Sequence, residues 1–391
     1  MSPLSRRTFL ATLAATPLLA RAAAPSDYRR AVGPRDWAFP RDHGRHDGFK
    51  TEWWYLTGHL RTADGKRYFG YQLTFFRSAL TPTPTARQSP WAATHLFLAH
   101  AAVSDITNQS FRHAERLARE RQGYAHASAE TMDVRLKDWS ITPTADGRSI
   151  RLKAADAEKQ FSLDLTTPLP PFQSVIRNPQ SEIAQHSGLS TQDSSRLTLQ
   201  GPGGLNPKSA TPGNASYYYS LTRLPTTGVI TLDATKHDVT GLSWMDREFS
   251  TSSLAPHQVG WDWIALHLRS GHDLMLYRIR NQANRTDYLS GTLVSPEGVA
   301  TYLIAADIAL SPTATWTSPA TKATYPSAWS IAVRGLPKFM IRTLIPDQEL
   351  QTPNSTDVTY YEGAVSATGE DGVELGEGYL EMTGYTKPVT R

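Results

Sequence analysis

Thr51-Glu52-Trp53-Trp54-Tyr55-Leu56-Thr57-Gly58-His59-Leu60-Arg61 is the stretch that decides the fold. Its aromatic and β-branched residues favour extended backbone. The turn Ala63-Asp64-Gly65 follows, and Tyr68–Phe76 then repeats the aromatic pattern, which is the signature of a hairpin. Alternation sends Glu52 and Trp54 to one face and Trp53 and Tyr55 to the other. An acid beside three aromatics is unusual. If its face lines a barrel interior, burial raises its pKa and makes it a proton donor. The competing reading is a Glu–Arg pair that holds an N-terminal plug.

Similar runs recur along the chain. His95–Val103, Asp133–Ile141, Ile150–Lys153 and Gln160–Leu165 read as strands, as do Tyr217–Thr222 and Val229–Ala234. Trp261–Leu268, Asp273–Arg280, Tyr288–Val294, Trp329–Val333 and Gly376–Gly384 continue the series. Turn signals about 8–12 residues apart indicate an all-β barrel or sandwich with little helix. The single helix expected is Gln109–Arg121, basic and weakly amphipathic, with a solvated face. Gly201-Pro202-Gly203-Gly204 through Pro207, Pro212 and Gly213 is the densest Pro/Gly stretch and reads as a linker. With the boundary at about 205–228, the chain divides into domains 35–215 and 216–388. Pro82–Pro90 and Pro168–Pro179 read as loops. A faint repeat supports two related halves. His59-Leu60-Arg61 matches His267-Leu268-Arg269, and Trp139-Ser140-Ile141 matches Trp329-Ser330-Ile331.

Residues 1–24 read as a twin-arginine export segment. Ser5-Arg6-Arg7-Thr8-Phe9-Leu10 precedes an apolar run to Ala20 and a small-residue exit, with cleavage favoured after Ala22. The expected location is therefore the periplasm or beyond. The formal charge of +4 includes Arg6, Arg7 and Arg21, so the remainder is near neutral and nucleic acid is not expected as a partner. Cysteine is absent, which removes disulfides, thiolate nucleophiles, Cys-based metal sites and an N-terminal lipid anchor. Hydrophobic residues at 39% allow a packed core.

Two further stretches carry chemistry. In Gly241-Leu242-Ser243-Trp244-Met245-Asp246-Arg247-Glu248-Phe249, alternation puts Trp244, Asp246 and Glu248 on one face. Two acids beside an indole suit proton transfer, in which an acid gives up its proton and a ring face stabilises the cation. Pairing of these acids with arginine at a domain interface is the equal alternative. In Tyr217-Tyr218-Tyr219, Tyr217 and Tyr219 share a face and could line a ligand cavity or simply pack. His95 and His100 fall on opposite faces, His43 and His46 lie on a loop, and no metal motif forms. Nucleophile-elbow, P-loop and dinucleotide motifs are absent.

The stretches Phe39-Pro40, Asp42-His43-Gly44, Thr51–Gly58, Tyr218-Tyr219-Ser220, Ser243–Phe249, Gly260–Trp263, Tyr361-Glu362-Gly363 and Gly378–Tyr385 together resemble the AttH-like family, which is related to carotenoid 1,2-hydratases. The resemblance spans about 35–386. It implies two tandem lipocalin-like domains packed together, an apolar isoprenoid or lipid-like ligand and, in some members, addition of water to an isolated double bond. Some relatives are labelled secreted hydrolases or lie beside ABC-transporter genes, and related fungal folds promote cycloadditions. Asp246 matches the aspartate that serves carotenoid hydratases as proton donor, and Trp244 stands for their tyrosine. Tyr217-x-Tyr219 falls about where they carry His-x-Trp, so the water-activating histidine is missing. The expectation is an exported carrier of an apolar molecule or a transport accessory, with possible peripheral membrane contact. The alternatives are a cofactor-free hydratase or cyclase, and a secreted hydrolase. The candidate catalytic residues are Asp246, Trp244, Glu248 and Glu52. The candidate ligand-binding residues are Trp54, Tyr55, Tyr217, Tyr219, Trp261 and Trp263.

Overall fold

The structure is a computed structural model that describes residues 28–82, 93–120, 123–169, 175–176, 196–252 and 254–389. Residues 1–24, read above as an export segment, and most of the stretches 82–90 and 168–179, read as loops, lie outside the described residues. The fold is all-β: two curled, lipocalin-like antiparallel sheets, each wrapped around its own core.

In the first sheet Thr51–Arg61 is central. It pairs with Tyr68–Ala79 on one side and with Thr235–Ser252 on the other. Beyond Tyr68–Ala79 come His95–Asp105 and Ser110–Arg119. Beyond Thr235–Ser252 come Ala215–Leu232, Phe161–Pro168 and Ser149–Asp156. In the second sheet Gln258–Leu268 is central, between Asp273–Asn281 and Glu374–Met382. Thr359–Gly369 pairs with the latter. The two HLR triplets thus sit on corresponding strands.

Two expectations are corrected. Ser110–Arg119 is a strand. A turn with Gln109 at φ 53° folds it back onto His95–Asp105, and ladder pairing outweighs its weak helical periodicity. Its arginines brace the sheet: Arg112 binds Asp233 and Arg116 binds Asp156. The domain boundary is also displaced. Ala215–Leu232 and Thr235–Ser252 form one long hairpin through a turn with positive φ at Asp233 and Ala234, and both belong to the first sheet. The chain passes to the second sheet between Thr235–Ser252 and Gln258–Leu268, and the Pro/Gly stretch belongs to the first half, where its Leu205–Pro207 pairs with the start of Ala215–Leu232. Pairing with Thr51–Arg61 and Phe161–Pro168 on both edges holds this hairpin where composition alone suggested a linker.

Packed side chains fill the first core, among them Trp54, Leu56, Tyr71, Phe75, Trp139, Tyr219, Met245 and Phe249. The second holds Ile264, Leu266, Leu276, Trp329, Ile331 and Leu380. At one end of the first core lies a buried charge network. Arg77 and Arg247 both bind Glu52, and the His46 backbone N–H donates to it at 3.1 Å. Burial pushes the Glu52 carboxyl upward, but Arg247 and Arg77 outweigh this and hold it well below the usual range. Asp42 extends the network through Arg35 at 2.5 Å and His46 at 3.0 Å, which fixes the entering chain as a plug. Glu52 is therefore held as an anion at neutral pH. Its candidacy as a proton donor fails because two guanidinium groups neutralise it.

Removing one member of this network strands a buried charge. Glu52→Ala is expected to cost about 3–5 kcal/mol, read by urea denaturation at pH 7. Because the Glu52 pKa is depressed, its contribution is present above the unfolded value near ~4.3 and lost as pH falls toward the lowered folded value. The gap between wild type and variant should thus narrow in acid.

Candidate active site

The two sheets meet along a seam of outward-facing residues that includes Tyr55, Tyr218, Trp244, Trp263, Tyr277 and Tyr379. Thr235–Ser252 supplies its centre. Met245, Arg247 and Phe249 face the first core, so alternation turns Trp244, Asp246 and Glu248 toward the seam. Ser220 lies opposite Asp246 on one neighbouring strand and Tyr55 on the other.

Asp246 is 3% exposed. Its Oδ1 accepts from Ser220 Oγ at 2.5 Å and Trp244 Nε1 at 2.7 Å, and its Oδ2 accepts from Tyr218 Oη at 2.6 Å. Burial pushes its pKa up to about 7, against the pull of these three donors. Trp263 Nε1 donates to Tyr218 Oη at 3.1 Å, which orients the phenol toward the carboxylate.

Across the seam the second sheet contributes Glu362 and Glu381, which lie directly opposite each other on paired strands. Such like charges repel unless one is protonated. Burial first, and then Glu381, raise Glu362 well above the usual range, although Tyr55 Oη donates to it at 2.9 Å. Glu381 is only half-buried yet also raised, first by burial and then by Asp246 and Glu248, while Trp261 Nε1 donates to it at 3.1 Å. Glu248 pairs with Lys208 at 2.9 Å. Lys208 Nζ also sits 4.7 Å from the Tyr277 ring centre, and Tyr277 Oη donates to the Pro207 carbonyl. The Pro/Gly loop therefore covers this end of the seam.

Of the residues singled out from sequence, the seam gathers Trp244, Asp246, Glu248, Tyr55, Trp261 and Trp263. Trp54, Tyr217 and Tyr219 point into the first core instead and do not line the acid cluster. Trp54 Nε1 donates to the His43 carbonyl, Tyr217 Oη to the Gly33 carbonyl, and Tyr219 Oη meets His43 Nδ1, so all three bind the plug. Sequence reasoning missed Tyr218, Glu362, Glu381 and Lys208. The signal for the glutamates was an acid between apolar neighbours on a strand, in Tyr361-Glu362-Gly363 and Leu380-Glu381-Met382.

Two curled antiparallel sheets with titratable acids sealed between them define a tandem lipocalin-like protein. The chain belongs to the AttH-like family, whose profile matches residues 30–385. The crystal structure of an AttH-type protein from Nitrosomonas europaea is 33% identical, with a TM-score of 0.76 over 91% of this chain and 99% of that one. Kievitone hydratase from Nectria haematococca has the same fold at 14% identity, with a TM-score of 0.64 over 93% of this chain and 98% of that one. No curated protein sequence matches the chain.

Burying an acid whose pKa is raised favours its protonated form. Asp246 thus contributes stability that is fully present below the unfolded value near ~3.9 and lost as pH rises through about 7. Asp246→Asn keeps the shape without that loss. Its melting temperature relative to wild type should therefore rise between pH 5 and pH 8, and a pH-independent difference would contradict a raised Asp246.

Proposed function

We propose that the protein is an acid catalyst acting on an apolar, unsaturated small molecule held in the seam, adding water to a carbon–carbon double bond or starting a cyclisation by protonating it. The observation that carries this reading is Asp246: a buried carboxyl, poised near neutral pH, fixed by three donors and flanked by aromatic rings. An acid working near its own pKa is both protonated often enough and acidic enough to transfer a proton.

Asp246 gives its proton to one alkene carbon, and the π electrons form the new C–H bond. Positive charge develops on the neighbouring carbon, where the faces of Tyr218, Tyr55 and Trp263 stabilise it. The oxygen of a water then bonds to that carbon, and the proton it releases returns to the Asp246 carboxylate, which restores the acid. In a cyclisation a second double bond replaces the water. The sheets are filled by their own side chains, so the seam is favoured over a barrel interior as the binding place. Access needs the loop bearing Pro207 and Lys208 to lift. The twin-arginine segment supports action outside the cytoplasm. The likeness to kievitone hydratase supports the fold on which this chemistry would run.

The test is mass spectrometry of the organic extract from mature wild type and Asp246→Asn, purified without detergent from the native host. Wild type should carry a molecule one water heavier than, or isomeric with, the one retained by the variant. The same unmodified molecule on both would make the protein a carrier and remove Asp246 from any chemistry.

A further inference from the structure

Not every polar group of the seam is as well paired as Asp246. Leu205–Pro207 pairs with the start of Ala215–Leu232, and that strand pairs with Thr235–Ser252. In this register Asn206 lies opposite Ser216, and Ser216 opposite Ser250. Direct cross-strand neighbours share a face, and their Cβ atoms are about 4.5–5.5 Å apart. Ala215, Tyr217 and Phe249 belong to the first core and Leu205 packs against it, so alternation turns Asn206, Ser216 and Ser250 to the seam. All three are fully buried. Asn206 Oδ1 and Nδ2, Ser216 Oγ and Ser250 Oγ have no hydrogen-bond partner among the described residues. An unbroken row of unpaired, buried polar atoms is a costly arrangement that a bound partner relieves.

The row lies at the end of the seam that the Pro/Gly loop covers. Ser250 is two residues beyond Glu248 and four beyond Asp246 on the same strand face. At ~3.3 Å per residue the row is thus about 13 Å from the acid. Lys208 covers it. The Lys208 N–H donates to the Asn214 carbonyl at 2.9 Å, so Lys208 starts level with Asn214, on one side of the row. Its Nζ lies 2.9 Å from Glu248 and 5.6 Å from the Tyr218 ring centre, on the other side. The aliphatic stem therefore crosses the row and shields it from solvent. Gln258 Nε2 donates to the Lys208 carbonyl at 2.8 Å, and Tyr277 Oη to the Pro207 carbonyl. Lifting this loop opens the seam and uncovers the row together. The donors and acceptors of the row select its partner. Asn206 offers an acceptor at Oδ1 and two donors at Nδ2, and each serine hydroxyl serves as either. An alcohol or phenol hydroxyl donates to Oδ1 while its oxygen accepts from a serine. A carbonyl or ether has no proton for Oδ1, and a hydrocarbon pairs with nothing. A carboxylate also lacks the proton and would lie beside the Glu248 carboxylate.

Resting on the reading of the seam as the place that holds the substrate, we propose that Asn206, Ser216 and Ser250 form a hydroxyl-binding subsite. The substrate is then an unsaturated alcohol or phenol and not a hydrocarbon. Its double bond lies at Asp246 and its hydroxyl about 13 Å away, under the Lys208 stem. By anchoring the far end of the chain, the row sets which double bond meets the acid. It rejects molecules of the same shape that lack the hydroxyl, because those leave buried polar groups unpaired.

The probes are farnesol, an unsaturated alcohol, and farnesyl methyl ether, which has the same chain without the hydroxyl proton. Binding of each to the intact protein is followed by quenching of tryptophan emission, to which Trp244, Trp261 and Trp263 of the seam contribute. Wild type is expected to bind the alcohol about ten-fold more tightly, the value of a hydrogen bond to a buried group otherwise left unpaired. Asn206→Leu combined with Ser216→Ala should bring the ratio close to one by weakening alcohol binding alone. Thermal unfolding of the variant checks its fold, since removing unpaired polar groups should leave the melting temperature unchanged or higher. A ratio near one in wild type, a ratio that survives the substitutions, or failure of both probes to bind overturns the subsite. A sharply lower melting temperature with the ratio unchanged also overturns it, and assigns the row to an ordered water only. If the alcohol preference follows Asn206 while the organic extract shows no chemistry, the subsite stands as part of a carrier and the acid reading alone fails.

Discussion

The register of Thr235–Ser252 against Thr51–Arg61 is the constraint on which the rest depends. One strand serves two environments: Met245, Arg247 and Phe249 on the core side, Trp244, Asp246 and Glu248 on the seam side. A slip of one residue would exchange the sets, placing Asp246 among core aromatics and a guanidinium in the seam. The bond between Arg247 and Glu52 pins this register from within the first core, because both groups are buried and Glu52 is the carboxylate that Arg247 pairs with. The anion that looked like a proton donor thus fixes the strand that carries Asp246. Arg77 supplies the second positive charge, and the plug through Asp42 and His46 completes the balance.

The margins of the seam are closed by the repeat seen in the sequence. His59 Nε2 bonds to the Gly378 carbonyl at 2.7 Å, and its counterpart His267 bonds to the Thr222 carbonyl. Each sheet thereby inserts a histidine from its central strand into the backbone of the other. Burial lowers both imidazoles, so these are neutral donors rather than ion pairs, and they hold the halves together without placing a competing cation beside the acids. Trp139 and Trp329 are related in the same way, each buried in its own core with an arginine over its ring.

Much of this was legible in the residues, and the failures have physical causes. Aromatic alternation announced the strands, and the spacing of Trp244, Asp246 and Glu248 put all three on one face. Alternation defines which residues share a face but leaves open which face meets a core. Tyr217 and Tyr219 were therefore candidate ligand contacts, with packing as the alternative, whereas Tyr218 is the one beside Asp246. The basic segment after Gln109 read as a helix because Ala, Arg, Glu and Leu favour helix locally, and only the long-range ladder with His95–Asp105 reverses that preference. The boundary was misplaced because a dense Pro/Gly run marks a turn as readily as a linker. Glu362 and Glu381 become partners only through pairing between strands, which no local pattern contains.

Why the acids lie between sheets and not inside one follows from electrostatics. A curled sheet filled by its own side chains leaves little room for a ligand, and a lone ionised carboxylate there would need a guanidinium, as Glu52 has two. Such pairing fixes the charge and ends any proton transfer. In the seam the carboxyls face aromatic rings, hydroxyls and one another, with Lys208 paired to Glu248 at the edge. Mutual repulsion and burial then both favour the protonated form, and neutral hydrogen bonds from Ser220, Tyr218 and Trp244 orient Asp246 without neutralising it by charge. Core and seam thus hold acids in opposite states, an anion locked by arginine in the core and carboxyls pushed toward their protonated form in the seam, and the difference between them is which counter-groups each strand face meets.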